Sequence, residues 1–152
     1  TIELRGMFPK GSDPREAMKM WHFMLGLSVL LLTLLRIANR FSAPTPAIEP
    51  PLKPLQDKLA KLMHLALYGL MLGMPLVGWL ILSAAGKPIP FFGLELPALI
   101  GANKGLADQL KEVHEAAGSF GYVLIGAHAA AALFHHHVQH DNTLLRMLPS
   151  RR

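Results

Sequence analysis

Three long apolar stretches dominate this 152-residue chain, and they limit the folds open to it. They cover residues 18–38, 59–83 and 106–138. A helix needs about 20 apolar residues to cross the hydrocarbon core of a bilayer, so each stretch is long enough. Only 16% of the residues are charged, which is unusual for a soluble domain of this size. The sequence therefore predicts an all-α membrane protein, with residues 1–152 forming one membrane-embedded domain.

The third stretch carries two histidines, His114 and His128, which are fourteen residues apart. In an α-helix this spacing is nearly four turns, about 21 Å, and it leaves both imidazoles on one face. Gly118 and Gly121 lie between them on that face, where they favour either close helix contact or room for a flat group. Imidazole is a common axial ligand of haem iron, and helix bundles hold such sites in their cores. The pattern therefore indicates two haems at two depths.

The first stretch repeats this two-level pattern, with His22 near its start and Arg36 fourteen residues later. Because Trp21 marks a membrane interface, His22 is expected at the level of His114, where the two can bind one haem. Arg36 is expected deeper. It cannot bind iron, because its guanidinium stays protonated and has no free lone pair. It either extends to the interface or pairs with a haem propionate.

The remaining histidines allow several interpretations. His64 in the second stretch makes a polar contact in the bundle, meets a quinone headgroup, or replaces a missing ligand opposite His128. With a helix starting near Leu59, His64 lies about 8 Å from the helix end, so its depth is near that of His128 but not equal to it. The composition of one further group suggests metal binding: His135, His136, His137 and His140. Consecutive residues point around the helix and away from one common site, so a solvated helix end is expected instead. A haem-free, histidine-rich metal-binding membrane protein is the alternative of another class.

Cysteine content and charge narrow the chemistry further. The chain has no cysteine, which excludes thiolate ligands, iron–sulfur clusters and covalently attached haem. Its net charge of +5 fits contact with membrane lipid better than nucleic acid, for which there is no motif. Residues 41–55 are rich in proline and predict an extended linker, and residues 84–103 predict a loop. The distribution of Lys and Arg places the linker and the C-terminal tail in the cytoplasm, with His22 and His114 near the outer face.

Three motifs together resemble the bacterial cytochrome b561 family of two-haem, four-helix inner-membrane proteins. They are WHFMLG around His22, VHEAAGSFGYVLIGAHAAAALFHHH around His114 and His128, and DNTLLRMLP in the tail. The resemblance covers nearly the whole chain. It implies haem b between His22 and His114, and a second haem between His128 and a histidine in a helix that precedes Thr1. We therefore expect three spans of a four-helix bundle, with one complete bis-histidine site. The second haem should be absent, weakly held or five-coordinate through His128.

The resemblance also implies a function. A multi-pass cytochrome of the bacterial inner membrane would carry electrons between a donor at the outer face and the quinone pool. One activity that the resemblance implies is that of a superoxide:ubiquinone oxidoreductase. Cations on the outer side would then steer the superoxide anion: Arg5, Lys10, Arg15, Lys19, Lys87 and Lys104. The alternative is a cytochrome b subunit that relays electrons for a partner dehydrogenase or hydrogenase. The sequence leaves the donor, the quinone site and the oligomeric state open.

Overall fold

The structure is a computed structural model that describes residues 3–42 and 47–145. A short 3-10 helix, Glu3–Met7, is followed by α1 (Asp13–Ser42), α2 (Pro54–Ala84), strands β1 (Ile89–Phe91) and β2 (Leu94–Leu96), and α3 (Lys104–His137). All three α-helices are long and apolar enough to cross a membrane. The predicted helical membrane protein with three spans is confirmed. Predictions about the prolines at 44 and 46, and about the tail beyond residue 145, lie outside the described residues.

The helices α1 and α2 both begin five residues earlier than the apolar stretches predicted. Each has a proline in its first turn, Pro14 in α1 and Pro54 in α2. Proline is well suited to this position, because the first N–H groups of a helix have no partner within the helix. In α2 the side chain of Gln56 also accepts a hydrogen bond from the N–H of Lys53, at 3.2 Å. A prediction from apolar content alone leaves out these polar first turns. Because α2 starts five residues earlier than predicted, every residue of α2 lies five residues farther from the start of the helix.

Helix α2 lies between α1 and α3 and packs against both. Along its antiparallel contact with α3, Gly78 approaches His114, Met74 approaches Gly118, and Leu70 approaches Gly121. In contrast, no Cα atoms of α1 and α3 lie within 8 Å of each other in the described chain. Helices that pack directly have axes 8–10 Å apart, so a gap beside α2 separates α1 from α3.

The sequence predicted a loop between α2 and α3, but this segment contains a two-stranded antiparallel hairpin. Its turn residues, Phe92 and Gly93, both have positive φ (47° and 87°), which is typical of the tight turns that fit the twist of a hairpin. Ile89, only 2% exposed, packs against Leu27 of α1 and Leu82 of α2. The hairpin therefore covers one end of the bundle, which we call the hairpin side.

At the opposite end, the linker side, the chain after α3 binds back to the linker between α1 and α2. Asn142 and Glu49 form two hydrogen bonds: Glu49 N–H donates to Asn142 Oδ1 at 3.0 Å, and Asn142 N–H donates to the Glu49 carbonyl at 3.1 Å. Asp141 contacts the ring of His135 at 2.6 Å and accepts from Thr143 N–H at 2.9 Å. Burial alone would raise the pKa of Asp141, but the hydrogen bonds from Thr143 and His135 outweigh it and hold that pKa below its usual range.

Candidate functional site

The structure brings His22 of α1 and His114 of α3 together, and we call them the hairpin-side pair. Their ring centres are 6.1 Å apart, and the ring planes are nearly perpendicular, at 85°. His22 lies nine residues after the first residue of α1, and His114 lies ten residues after the first residue of α3. Both helices start at the same side of the bundle, so counts that differ by one residue place the two histidines within about 1.5 Å of the same depth. The predicted common level of these two histidines is found in the structure.

The geometry of the hairpin-side pair fits a haem. With metal–nitrogen bonds of about 2 Å, two imidazoles on opposite sides of one metal ion have ring centres about 6 Å apart. The gap between α1 and α3 leaves room for a flat group, and a cavity of about 190 Å³ between α2 and α3 adjoins His114. The imidazole of His114 is half-buried beside this cavity, where it can meet a bound group.

His64 of α2 and His128 of α3 form a second pair on the linker side, with ring centres 5.5 Å apart. The prediction that His64 lies short of the depth of His128 is wrong. Because α2 starts at Pro54 and not near Leu59, His64 lies ten residues into its helix, and His128 lies nine residues before the end of α3. Five residues of helix correspond to about 7.5 Å, which is the error in the predicted depth. Within these three helices, His128 therefore has an imidazole beside it.

Arg36 contacts Tyr68, a residue of α2 to which the sequence pattern gives no role. Its Nε atom donates a hydrogen bond to Tyr68 Oη at 3.3 Å. Tyr68 follows His64 by four residues, so both lie on the same face of α2. The i,i+4 spacing of His64 and Tyr68 is visible in the sequence, but the contact of Tyr68 with Arg36 of α1 is not.

The two glycines between His114 and His128 face α2. A Cβ atom at Gly121 would lie 3.1 Å from Leu70 Cδ2, and one at Gly118 would lie 3.5 Å from Met74 Cε. Of the two roles left open by the sequence, close helix contact is the one that these distances support. Small residues of this kind let membrane helices approach each other. The contact fixes α3 against α2 midway between the two histidine pairs.

Charged residues on the hairpin side surround a cleft of about 560 Å³ between the first turns of α1 and β1. Lys19 and Lys87 line it together with two carboxylates, Asp13 and Glu16. Lys19 also forms a 2.6 Å ion pair with Glu16, so part of its charge is already offset. Arg15 donates to the carbonyl of Phe8 at 2.9 Å. Of the cations predicted to steer an anion, Lys87 is thus placed at a concave surface, while the side chain of Arg5 lies outside the described residues.

The histidines at the end of α3 make separate contacts and do not converge on one point. His135 binds Asp141, and the rings of His136 and His137 lie 4.8 Å apart. Among residues 3–42 and 47–145, no three His, Asp or Glu side chains are grouped in a way that could hold a metal ion. The described part of this segment therefore offers no geometric support for the alternative of a metal-binding membrane protein.

Comparison with known proteins identifies the family. The profile of the prokaryotic cytochrome b561 family matches residues 2–150. The chain is 41% identical over 151 residues to cytochrome b561 homolog 1 of Escherichia coli K12, covering 99% of this chain and 86% of that protein. It is 43% identical over 152 residues to a protein of Yersinia pestis named probable superoxide oxidase CybB, covering 100% of this chain and 85% of that protein. A third relative, cytochrome b561 homolog 2 of Escherichia coli K12, is 34% identical over 128 residues, which are 84% of this chain and 68% of that protein.

These matches agree with the three helices that are long and apolar enough to cross a membrane. The family consists of haem b proteins that transport electrons, and its members are multi-pass proteins of the bacterial inner membrane. The predicted family, cofactor class and location are thereby confirmed. The chain belongs to the prokaryotic cytochrome b561 family.

Proposed function

We propose that this protein binds haem b between His22 and His114 and carries electrons from a donor at the outer face to the quinone pool. The observation that carries the proposal is the 6.1 Å separation of the two imidazoles across a gap between α1 and α3. The hairpin side is then the outer side, as the distribution of Lys and Arg in the sequence predicts. Haem b supplies a reversible one-electron centre, and the protein sets its position, ligands and electrostatic surroundings.

On the linker side, His128 is the candidate ligand of a second haem b. The ring of His64 lies 5.5 Å from that of His128, on a helix that packs directly against α3, so His64 is placed as a polar neighbour of this site. The family resemblance implies that the other ligand of this haem comes from a helix that precedes Thr1. In this proposal Arg36 would pair with one of the propionates of this haem. In the other role considered for it, His64 would contact a quinone headgroup.

For the donor we propose superoxide. The Yersinia pestis relative named probable superoxide oxidase is 43% identical over the whole of this chain, and Lys87 and Lys19 line the cleft on the hairpin side. Asp13 and Glu16 line the same cleft and Glu16 pairs with Lys19, so the attraction of a small anion rests on Lys87. Two superoxide ions would lose one electron each and leave as dioxygen, while one ubiquinone takes up two electrons and two protons. In this proposal the histidines would hold the redox centres, and Lys87 would attract the donor.

The test uses purified, haem-loaded protein reconstituted with ubiquinone in liposomes. Superoxide added from outside should reduce the protein and form ubiquinol, and superoxide dismutase should abolish both signals. Lys87→Glu should slow reduction, whereas Lys61→Glu, on the linker side, should not. A protein that dithionite reduces but superoxide does not would exclude this donor. It would favour the alternative of a cytochrome subunit that serves a partner dehydrogenase or hydrogenase.

A further inference from the structure

The cleft on the hairpin side carries charges of both signs in equal number. Two carboxylates and two ammonium groups line it: Asp13, Glu16, Lys19 and Lys87. Glu16 and Lys19 form an ion pair with each other at 2.6 Å. Among residues 3–42 and 47–145, neither Asp13 nor Lys87 forms an ion pair. The cleft thus offers one carboxylate and one ammonium group to a bound molecule.

The rest of the cleft wall is apolar. Its other lining residues are Ala17, Met20, Phe23, Leu82, Pro88 and Pro90. Along α1, Phe23 lies ten residues beyond Asp13, which is a distance of about 15 Å. Because α1 runs from the hairpin side into the bundle, its acidic residues lie at the outer end of the cleft and Phe23 lies at the inner end. The wall that α1 contributes is therefore polar outside and apolar inside, along the direction in which the helix crosses the membrane.

Aromatic side chains place this change of polarity at the membrane interface. Trp21 contacts Phe92 of the hairpin turn with ring centres 6.5 Å apart, and both rings are about half exposed. Tryptophan is enriched where the lipid headgroups meet the hydrocarbon core. Glu16 and Lys19 precede Trp21 by five and two residues, about 7.5 and 3 Å along α1, which is the depth of the headgroups. The charged end of the cleft therefore faces headgroups, and the apolar end faces acyl chains.

A phospholipid headgroup with both a phosphate and an ammonium group matches this arrangement. A simple anion in the cleft would meet two carboxylates, and a simple cation would meet two lysines, whereas a zwitterion can pair with both signs. A primary ammonium has three N–H donors for the carboxylates, but a trimethylammonium group has none. The cleft volume of about 560 Å³ is in the usual range for sites that bind small molecules. Charge and hydrogen bonding thus favour ethanolamine over choline or glycerol as the headgroup.

We propose that the cleft binds the headgroup of phosphatidylethanolamine, with its ammonium group at Asp13 and Glu16 and its phosphate at Lys87. The apolar inner wall then contacts the upper part of an acyl chain, which favours a membrane lipid over a free ethanolamine phosphate. This inference goes beyond the proposed function, because it concerns a lipid and not the electron donor. A phosphate beside Lys87 would offset its charge, so bound lipid would also weaken the attraction of superoxide.

The test measures, by native mass spectrometry, which lipid stays bound to the haem-loaded protein in detergent. The protein is mixed with equal amounts of phosphatidylethanolamine, phosphatidylcholine and phosphatidylglycerol that carry the same acyl chains, and the first should be retained preferentially. Asp13→Asn and Lys87→Gln should each lower its retention about threefold to fivefold, the size expected for one partly exposed ion pair. Asp57→Asn and Lys104→Gln are the matched controls and should keep the preference. Asp57 lies in the first turn of α2 on the linker side, and Lys104 begins α3 outside the cleft.

Four results would overturn the inference, and none of them depends on the identity of the electron donor. Equal retention of phosphatidylethanolamine and phosphatidylcholine would refute the role of the ammonium donors. Preferential retention of phosphatidylglycerol would mean that the cleft binds an anion alone. A preference for phosphatidylethanolamine that survives in both Asp13→Asn and Lys87→Gln would place the lipid elsewhere on the protein. Displacement of the lipid by an equal concentration of water-soluble glycerophosphoethanolamine would mean that the cleft takes a free zwitterion instead of a lipid.

Discussion

A bulky residue at Gly121 should separate α3 from α2 and weaken both histidine pairs. A Cβ atom there would lie 3.1 and 3.2 Å from the two methyl carbons of Leu70, whereas apolar atoms pack best at about 3.5–4.0 Å. Gly121→Ala thus requires a shift of about 0.5 Å, which the flexible end of Leu70 can absorb, and alanine gains helix stability in return. Gly121→Leu adds three more carbons to a filled contact, so it should cost about 1–3 kcal/mol, the usual cost of overpacking.

The assay is equilibrium unfolding of the haem-loaded protein in mixed detergent, followed by helix content and haem absorbance. Gly126→Leu is the matched control, because a Cβ at Gly126 on the same helix meets nothing within 4 Å. Adding Leu70→Ala to Gly121→Leu should recover part of the loss, since it removes the side chain that obstructs residue 121. Equal stability of the Gly121→Leu and Gly126→Leu proteins would refute the contact between α2 and α3 on which both sites depend.

Two further predictions concern the ends of the bundle. Asp141→Asn should speed hydrogen exchange of residues 138–145 at neutral pH, because the weakened hydrogen-bonded contact costs about 1 kcal/mol. Glu49→Gln is the control and should leave the exchange unchanged, because Glu49 binds Asn142 through its backbone. The pKa of Asp141 is lowered in the folded protein, so protection of this segment from exchange should persist down to acidic pH. The protection should disappear as the pH falls through that lowered pKa. A segment that is unprotected at neutral pH would contradict this prediction. On the hairpin side, the rate of reduction by superoxide should fall with added salt, because screening shortens to about 8 Å near physiological ionic strength, and a rate that ignores salt would favour a neutral donor.

The sequence predicted the spans and the hairpin-side pair because both depend on simple periodicity. Fourteen residues of helix place two side chains on one face whatever their neighbours are, so the two-level arrangement of His114 and His128 followed from the sequence alone. The common depth of His22 and His114 followed from the polar residues that precede both helices. These features depend on distances within one helix and on the thickness of the bilayer.

The features that escaped prediction depend on polar residues at helix ends and on contacts between helices. Hydropathy placed the start of α2 at Leu59, although Pro54 and Gln56 already begin the helix, and this error separated His64 from His128. The β1–β2 hairpin was missed because its strands have three residues each and depend on packing against α1 and α2. The bond between Arg36 and Tyr68 joins residues 32 positions apart, which no local pattern shows.

The most direct test of the account is the ratio of haem to protein in single histidine variants of the purified chain, measured with the reduced absorption spectrum. We predict that His22→Ala and His114→Ala each remove the same haem, and that the double variant loses no more than either single one. His140→Ala, beyond the end of α3, should retain the full haem content. Haem content and spectrum unchanged in His114→Ala, or different haems lost in the two single variants, would contradict the claim that His22 and His114 bind one haem between α1 and α3.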